Sequence, residues 1–553
     1  MVRLSPSRRR RPFGVLLTFG VLLLLAVASG ALVAGSGTVV AHGAGESTHT
    51  ATAGADGRIV ELYPNPTTPQ NRGEYVTVDL DSAGNWTLTD GEGIVRLPDR
   101  TGEFAVTRHP TETATHTNAT TVTAGGSLRL AVGGETLELK RDGEVVDTVT
   151  YEDAPESQRW HRKRDPHWQP NGFVPREPAT AESTPVEAFV LPDAPAVPVE
   201  TIAEADRRLY LAAYTLTSER VVDELIAAHD RGAEVRVLIE GAPVGGMSTQ
   251  QADRLDELSE AGVEVRAMTG ERARFRYHHA KYAVVDDRAV VLTENWKPSG
   301  TGGADNRGWG VTVDSPKTAA DLAAVFKHDA TWNDTVRWSA FRSTAETTEK
   351  GASTGSYSQT HPPMTATAES VTVLAAPDNT DEELVDLING TDDRLLIVQP
   401  SIGSVDFPLL QAAMRAADRG VDVRILLGSQ WYNEEENGAL AARLRERTEA
   451  SDSFSVRLAE GNGRFGKIHA KGIVADDTAV VGSLNWNDNS LRNNREVALA
   501  IEDAAVADYY AEVFDGDWTS DRTRELPVGV VVVAIGAAGG TVLTLKRRLE
   551  FTE

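Results

Sequence analysis

The chain has no cysteine in 553 residues, which removes disulfides, zinc-thiolate sites and thiol nucleophiles together. Any catalysis has to use other groups. Lysine is scarce as well, with ten positions against 45 arginines. Acidic residues outnumber basic ones by 81 to 55, for a net charge of −26, so no broad basic surface announces a nucleic-acid partner. The charge does not exclude one. The carboxylate excess resembles the surface of a salt-adapted protein, and at molar salt the Debye length falls to about 3 Å, where such charge repels anions weakly. With 41% hydrophobic residues the chain is no disordered tail; it can bury large cores and is expected to hold several domains.

Long apolar runs stand at the two ends. Residues 1–41 have a basic head, an apolar stretch and then small residues, the layout of a secretory signal with cleavage near Ala28 or Ala41; an uncleaved signal anchor is the competing reading. Arg10, Arg11 and Phe13 resemble a twin-arginine signal, with Pro12 out of pattern. Residues 527–545 are uncharged and precede Lys546, Arg547 and Arg548. Such a run is long enough to span a bilayer, and the positive charges place the 546–553 tail in the cytoplasm and the body outside. Gly536 and Gly540 form a GxxxG pair of the kind that dimerises membrane helices.

Between the ends, residues 55–155 show short alternating runs such as "EYVTVDL" and "SLRLAV" separated by turn residues, which predicts a small β-sandwich. The succession "IVELYPNP", "GEYVTVDL", "NWTLTDGEG", "VVDTVTYEDA", "RWHRKRD" resembles a lamin-tail domain, an immunoglobulin-like module; the resemblance implies binding of a surface ligand or spacing rather than catalysis. From residue 185 the sequence repeats. "AAHDRGAEVRVLIEG" (227–241) matches "RAADRGVDVRILLGS" (415–429), "FVLPDAP" (189–195) matches "LAAPDNT" (374–380), and "HAKYAVVDDRAVVLTENW" (279–296) matches "HAKGIVADDTAVVGSLNW" (469–486). Two copies of one α/β unit follow, at 185–341 and 371–520, with a Ser/Thr/Glu/Gly-rich linker at 342–370. Strand, amphipathic helix and strand recur in each, which predicts a mixed, mostly parallel sheet with flanking helices.

In each copy the strand alternation puts a histidine and a lysine on one face, His279 with Lys281 and His469 with Lys471, while His278 points to the other face. A second strand then delivers Asn295 or Asn485. A lone HxK pair carries no information, but the same triplet at matched spacing in both copies points to one shared site. Two lysines and two asparagines make a donor cage for a tetrahedral anion without a metal or cofactor. One histidine can attack phosphorus while the other protonates the leaving oxygen and later activates water. The competing reading is two buried strand histidines with edge lysines.

These residues resemble the HxKxxxxD signature of the phospholipase D superfamily, in "HAKYAVVD" and "HAKGIVAD", with "GSLN" at 482–485 fitting its GSxN. The resemblance covers about 185–520. It implies two pseudo-twofold halves, one site at their junction and phosphodiester cleavage through a covalent phosphohistidine on His279, with His469 as general acid and base. Asp286 and Asp476 are implied to support the strand rather than touch the phosphate, and Thr293 and Ser483, the hydroxyls of the two following motifs, are expected to support the site from outside it.

The first copy departs from the pattern twice. It reads "LTEN" where the second reads "GSLN", so Leu292 replaces a glycine, which predicts a narrower pocket. "DNRGWGV" faces "NNREVAL", so Gly308 stands opposite Glu496. The resemblance implies that Glu496 orients His279 of the other half, leaving His469 without such a partner. Trp296, Trp309 and Trp486 are expected in the core rather than lining the pocket.

Three functions are consistent with this pattern. The first is an exported, membrane-anchored phosphodiesterase acting on phospholipid head groups, with transfer to alcohols as a variant. The second is an extracellular nuclease, with Arg272, Arg274 and Arg276 ahead of the first motif. The third is a catalytically weakened surface protein, supported by Leu292 and Gly308.

Overall fold

Ala179–Leu191 and Met364–Ala376 lie antiparallel at the centre of one continuous sheet, and each half of the duplicated α/β body grows outward from its own member of that pair. The structure, a computed structural model, describes residues 56–519 apart from 127, 164–166, 271, 352, 448–452, 460 and 462. The signal, the apolar run at 527–545 with its glycine pair, and the tail therefore lie outside the described residues. Among the described residues no helix is long and apolar enough to cross a membrane.

From the centre, the first half adds Asn306–Asp314, Arg288–Leu292, Tyr282–Val285, Arg208–Ala213, Glu234–Glu240, Glu264–Met268 and Thr335–Arg337. The second half adds Glu496–Glu502, Thr478–Gly482, Gly472–Ala475, Arg394–Gln399, Asp422–Gly428 and Phe454–Ala459, the same order without the last edge strand. Parallel pairing within each half is confined to the outer three strands of the repeat, such as Arg208–Ala213 with Glu234–Glu240 and Glu264–Met268. Most of the sheet is antiparallel, contrary to the sequence expectation. The physical reason is the Asp-Asp hairpin after each HxK segment: a two-residue turn returns the chain antiparallel, and each neighbouring strand follows suit. The central strands begin at Ala179 and Met364, ahead of 185 and 371.

The hairpin is braced by its first aspartate. Asp286 and Asp476 sit at φ 52° and 48°, a left-handed conformation that aspartate tolerates better than most residues. The Asp286 carboxylate accepts the backbone N–H groups of Asp206, Arg207 and Arg208, and Asp476 accepts those of Asp392, Asp393 and Arg394. Both carboxyls are lowered from the usual range: burial pushes them up, and these N–H donors outweigh it.

Helices cover the sheet because serines and an aspartate cap them and apolar residues recur on one face. Ser218 accepts from Val221 N at the start of Glu219–Asp230, whose Val221, Val222, Leu225 and Ala228 are buried. Pro408–Arg419 ends on Gly420 at φ 100°, which lets its last turn close. Ahead of the duplicated α/β body, a six-stranded and a four-stranded sheet share one core in which Ile59, Val78 and Phe104 meet Trp86, Leu88 and Leu139. This module extends to the strand Trp168–Pro170, and Phe173 next to it packs edge-on against Phe275 of the body.

Candidate active site

Each HxK segment is extended backbone hydrogen-bonded to the opposite half. His279 N donates to Arg495 O at 2.9 Å, and His469 N donates to Arg307 O at 3.0 Å. The side chains of those two arginines hold the junction. Arg307 is fully buried between Asp193 (2.5 Å) and Asp517 (2.9 Å), and Arg495 between Asp378 (2.5 Å) and Asp329 (2.9 Å). Each arginine also donates to a carbonyl, Leu191 O or Ala376 O. A planar guanidinium can meet one carboxylate with two N–H groups while serving a second carboxylate and a carbonyl, which exceeds the three donors of a lysine ammonium. Sequence reasoning missed all six residues, although the signal was there: "NR" precedes both Gly308 and Glu496, Asp193 and Asp378 sit in the matched "PD" pairs, and Phe326-x-x-Asp329 repeats as Phe514-x-x-Asp517.

The catalytic candidates gather at this junction. His279 and His469 are 5% and 4% exposed, enclosed yet reachable. Glu496 Oε2 and Oε1 lie 2.8 and 3.0 Å from His279 Nδ1, which orients the ring through that nitrogen. Glu496 is itself held by Ser483 Oγ (2.5 Å) and Asn494 Nδ2 (3.1 Å). Lys281 Nζ donates to His279 O (2.6 Å) and Lys471 Nζ to His469 O (2.7 Å). Lys471 Nζ also stands 3.5 Å from Thr293 O of the other half. Asn295 is fully buried and neither atom of its amide has a protein partner, whereas Asn485 is half-buried. The Thr293 hydroxyl accepts from Trp309 N.

His469 does have a carboxylate. Glu294 Oε1 lies 3.1 Å from its Nδ1, and Asn306 Nδ2 holds the other oxygen of Glu294 at 2.8 Å. This corrects the expectation drawn from Gly308. The carboxylate has moved from the strand that carries Glu496 in the second half to the adjacent one, at the third position of "LTEN". Gly308 is what makes room: a Cβ there would stand 2.2 Å from Glu294 Cγ. Leu292 is likewise compensated. It packs in the core opposite Gly310, where a Cβ would meet Leu292 Cδ2 at 2.8 Å, while Gly482 of the second half faces Ala498. The predicted narrowing of the pocket is therefore wrong; Leu292 belongs to the core.

Charge explains how buried carboxylates stay ionised. Burial pushes Glu496 and Glu294 up, but His279, Lys281 and Ser483 around the first, and His469, Lys471 and Asn306 around the second, bring both below the usual range. Glu240 behaves oppositely. It is pushed up to about 7 by burial, against the N–H donors of His278 (2.7 Å) and Ala242. A carboxyl raised on folding stays protonated where the unfolded chain ionises, so its contribution to stability falls as pH rises from 4.5 to about 7 and levels off above. The loss from this group is expected to be roughly 3 kcal/mol. Thermal unfolding of Glu240→Gln across that range should show a correspondingly flatter pH profile than the parent, and superimposable profiles would contradict the assignment.

The remaining sequence candidates fall outside the reacting centre. Trp296 and Trp486 are buried in the cores of the two halves, and Trp309 is stacked on Tyr510. Arg274 is buried against Asp334, Arg272 pairs with Glu156, and Arg276 reaches Asn489, so they form no basic groove. His278, off-face as expected, is buried 3.6 Å from Asp329. Among the described residues no group of three or more histidines and carboxylates is arranged to hold a metal ion.

The family model described as cardiolipin synthase, PLD-like domain matches residues 199–330 and again 384–518. A Caenorhabditis elegans protein named probable phospholipase D is 27% identical over 126 residues, 20% of this chain and 23% of that one. The 5'-3' exonuclease PLD4 of Mus musculus is 28% identical over 146 residues, 22% of this chain and 29% of that one. The matches thus span about a quarter of these relatives' length. Among solved structures, phosphatidylserine synthase of Haemophilus influenzae aligns at TM-score 0.48 and 16% identity, over 64% of this chain and 90% of that one. The phospholipase D family member Nuc of Salmonella typhimurium aligns at TM-score 0.24 and 20% identity, over 29% and 98%.

Proposed function

Residues 199–330 and 384–518 belong to the phospholipase D superfamily, and from that premise we propose that the chain is a phosphodiesterase working through a covalent phosphohistidine. The observation that carries the reading is the pairing of a histidine with a buried carboxylate in both halves, His279 with Glu496 and His469 with Glu294. Nε2 of neutral His279 attacks phosphorus, a P–N bond forms, and the bond to the leaving oxygen breaks as protonated His469 gives up its proton. Water then attacks the phosphohistidine while His469 takes the proton back, and the P–N electrons return to His279. Lys281, Lys471, Asn295 and Asn485 are assigned to the non-bridging oxygens, where charge builds in the transition state. Assigning the nucleophile to His279 is supported by its two short contacts to Glu496, which Ser483 and Asn494 hold in turn. Glu294 Oε1 lies 3.1 Å from His469 Nδ1, a longer distance than the 2.8 Å between Glu496 Oε2 and His279 Nδ1.

For the substrate, a membrane anchor at 527–545 and an export signal at 1–41 favour phospholipid head groups, with an alcohol replacing water in a transfer reaction. A second reading, a nucleic-acid strand, is favoured by a lysine-lined cleft beside the site. The lamin-tail-like module is assigned to binding a surface ligand. The reaction itself is tested by the full chain in detergent with bis(p-nitrophenyl) phosphate at molar salt and excess chelator. Steady release of p-nitrophenolate is expected; inactivity there, and on phospholipids and DNA, would overturn the proposal.

A further inference from the structure

Half of the chain's ten lysines gather in one place. Lys281 and Lys471 flank the histidines, and Lys297, Lys350 and Lys467 line an adjoining cleft of about 390 Å³. In a chain with 45 arginines and a net charge of −26, this is a concentrated exception. Asp305 is the one carboxylate among the residues lining the cleft. Burial pushes its carboxyl up, and Lys467 and Lys297 pull it down.

The cleft adjoins the reacting centre through one shared residue. Its wall includes Tyr214, whose ring meets the His279 ring edge-on at 4.7 Å and lies 5.3 Å beneath Lys281 Nζ. Lys467 stands two residues before His469 on the same extended segment. The lining also takes in the stretch between the halves, expected from sequence to be a linker. Thr347–Thr348 pairs with Met247–Ser248, Lys350 Nζ donates to Gly246 O at 2.9 Å, and Gly351 and Ser353 face the cleft. The same segment is tied down again where Thr360 N and His361 N donate to Asp193, the acid that holds Arg307. It is a strap fixed at both ends.

Most of the other groups around the cleft are hydroxyls and an amide, among them Thr217, Ser248, Gln250 and Ser299, beside Pro243, Val244 and Pro298. Beside Lys467, Tyr432 Oη lies 3.4 Å from the ammonium, and Trp431, 85% exposed, stands edge-on to Tyr432 at 5.5 Å. Lysines along a backbone track with exposed aromatics beside them are what a single strand of nucleic acid uses, its phosphates on the cations and a base on the ring. We propose that Lys297, Lys350 and Lys467 form a second phosphate subsite, which holds the phosphate next to the one being cleaved in a single-stranded nucleic acid. The assignment rests on the nucleic-acid reading above. It makes the strap, and Lys350 in particular, part of substrate recognition.

The test uses the full chain with Lys297→Gln and Lys350→Gln, singly and together. Binding of a short fluorescent oligothymidylate is followed against salt, and kcat and KM are measured on it and on bis(p-nitrophenyl) phosphate, which has no second phosphate. Each substitution should flatten the slope of log affinity on log salt by about 0.7. Each should also lower selectivity for the oligonucleotide over the simple diester about 5- to 10-fold, through KM. Trp431→Ala should weaken oligonucleotide binding about 10-fold. An unchanged slope and an unchanged selectivity ratio overturn the subsite. Selectivity lost instead for cardiolipin over phosphatidylglycerol vesicles, with the oligonucleotide unaffected, overturns the strand and gives the subsite to a bisphosphate lipid. A parent protein that turns over neither substrate overturns the phosphodiesterase reading, while the binding arm still decides the subsite.

Discussion

His279→Ala is expected to lower turnover of every phosphodiester by about 10⁴-fold or more, the scale on which removing a nucleophile from a cooperating set is felt. The loss should fall on kcat, because the substrate's anionic oxygens are assigned to lysines and asparagines that the substitution leaves in place. The matching substitution in the other half gives a different signature. With p-nitrophenolate as leaving group no proton has to be supplied, so His469→Ala should still release about one equivalent rapidly and then stall, since no base activates water for the second step. Pre-steady-state absorbance separates the two variants. A burst from His279→Ala and none from His469→Ala would reverse the assignment; equal, modest losses in both would remove covalent catalysis from the account.

The second large effect concerns the carboxylate that changed strands. Glu294→Leu copies Leu484 of the second half and leaves His469 without its partner at 3.1 Å; kcat should fall about 100-fold, as when other groups that orient a functional histidine are lost. Gly308→Glu copies Glu496 but drives a Cβ to within 2.2 Å of Glu294 Cγ, in a fully buried place, and should destabilise the protein by about 1–3 kcal/mol. Combined, the two substitutions rebuild the second half's arrangement in the first, and the double variant should recover most of the lost kcat and stability. Activity and thermal midpoints of the three variants check this. A double variant no better than its worse parent would show that the two positions are not exchangeable.

The doubled HxK triplets were legible because they are spaced identically and because strand alternation dictates which side chains share a face. The compensated pairs were not. An alignment compares positions along a chain, whereas Glu294 and Glu496 occupy equivalent space from different strands, and Leu292 with Gly310 trades volume across a strand pair that no single column shows. The two arginine clusters join residues up to 210 apart in sequence, and each member looks like an ordinary surface charge until the halves close on it. The sheet was misjudged because the βαβ pattern of the outer strands is the strongest local signal, and the hairpins that set the remaining directions are marked only by Asp-Asp. The strap was read as a linker because its composition is polar, although its ends are held by specific hydrogen bonds. The export signal, the anchor and the glycine pair rest on hydropathy alone.

The most direct measurement is to react the full chain with a radiolabelled phosphodiester, quench in alkali to preserve a phosphorus–nitrogen bond, and map the label by peptide mass spectrometry. The account predicts acid-labile phosphate on His279. Label on His469, or none in a protein that is turning substrate over, would contradict it.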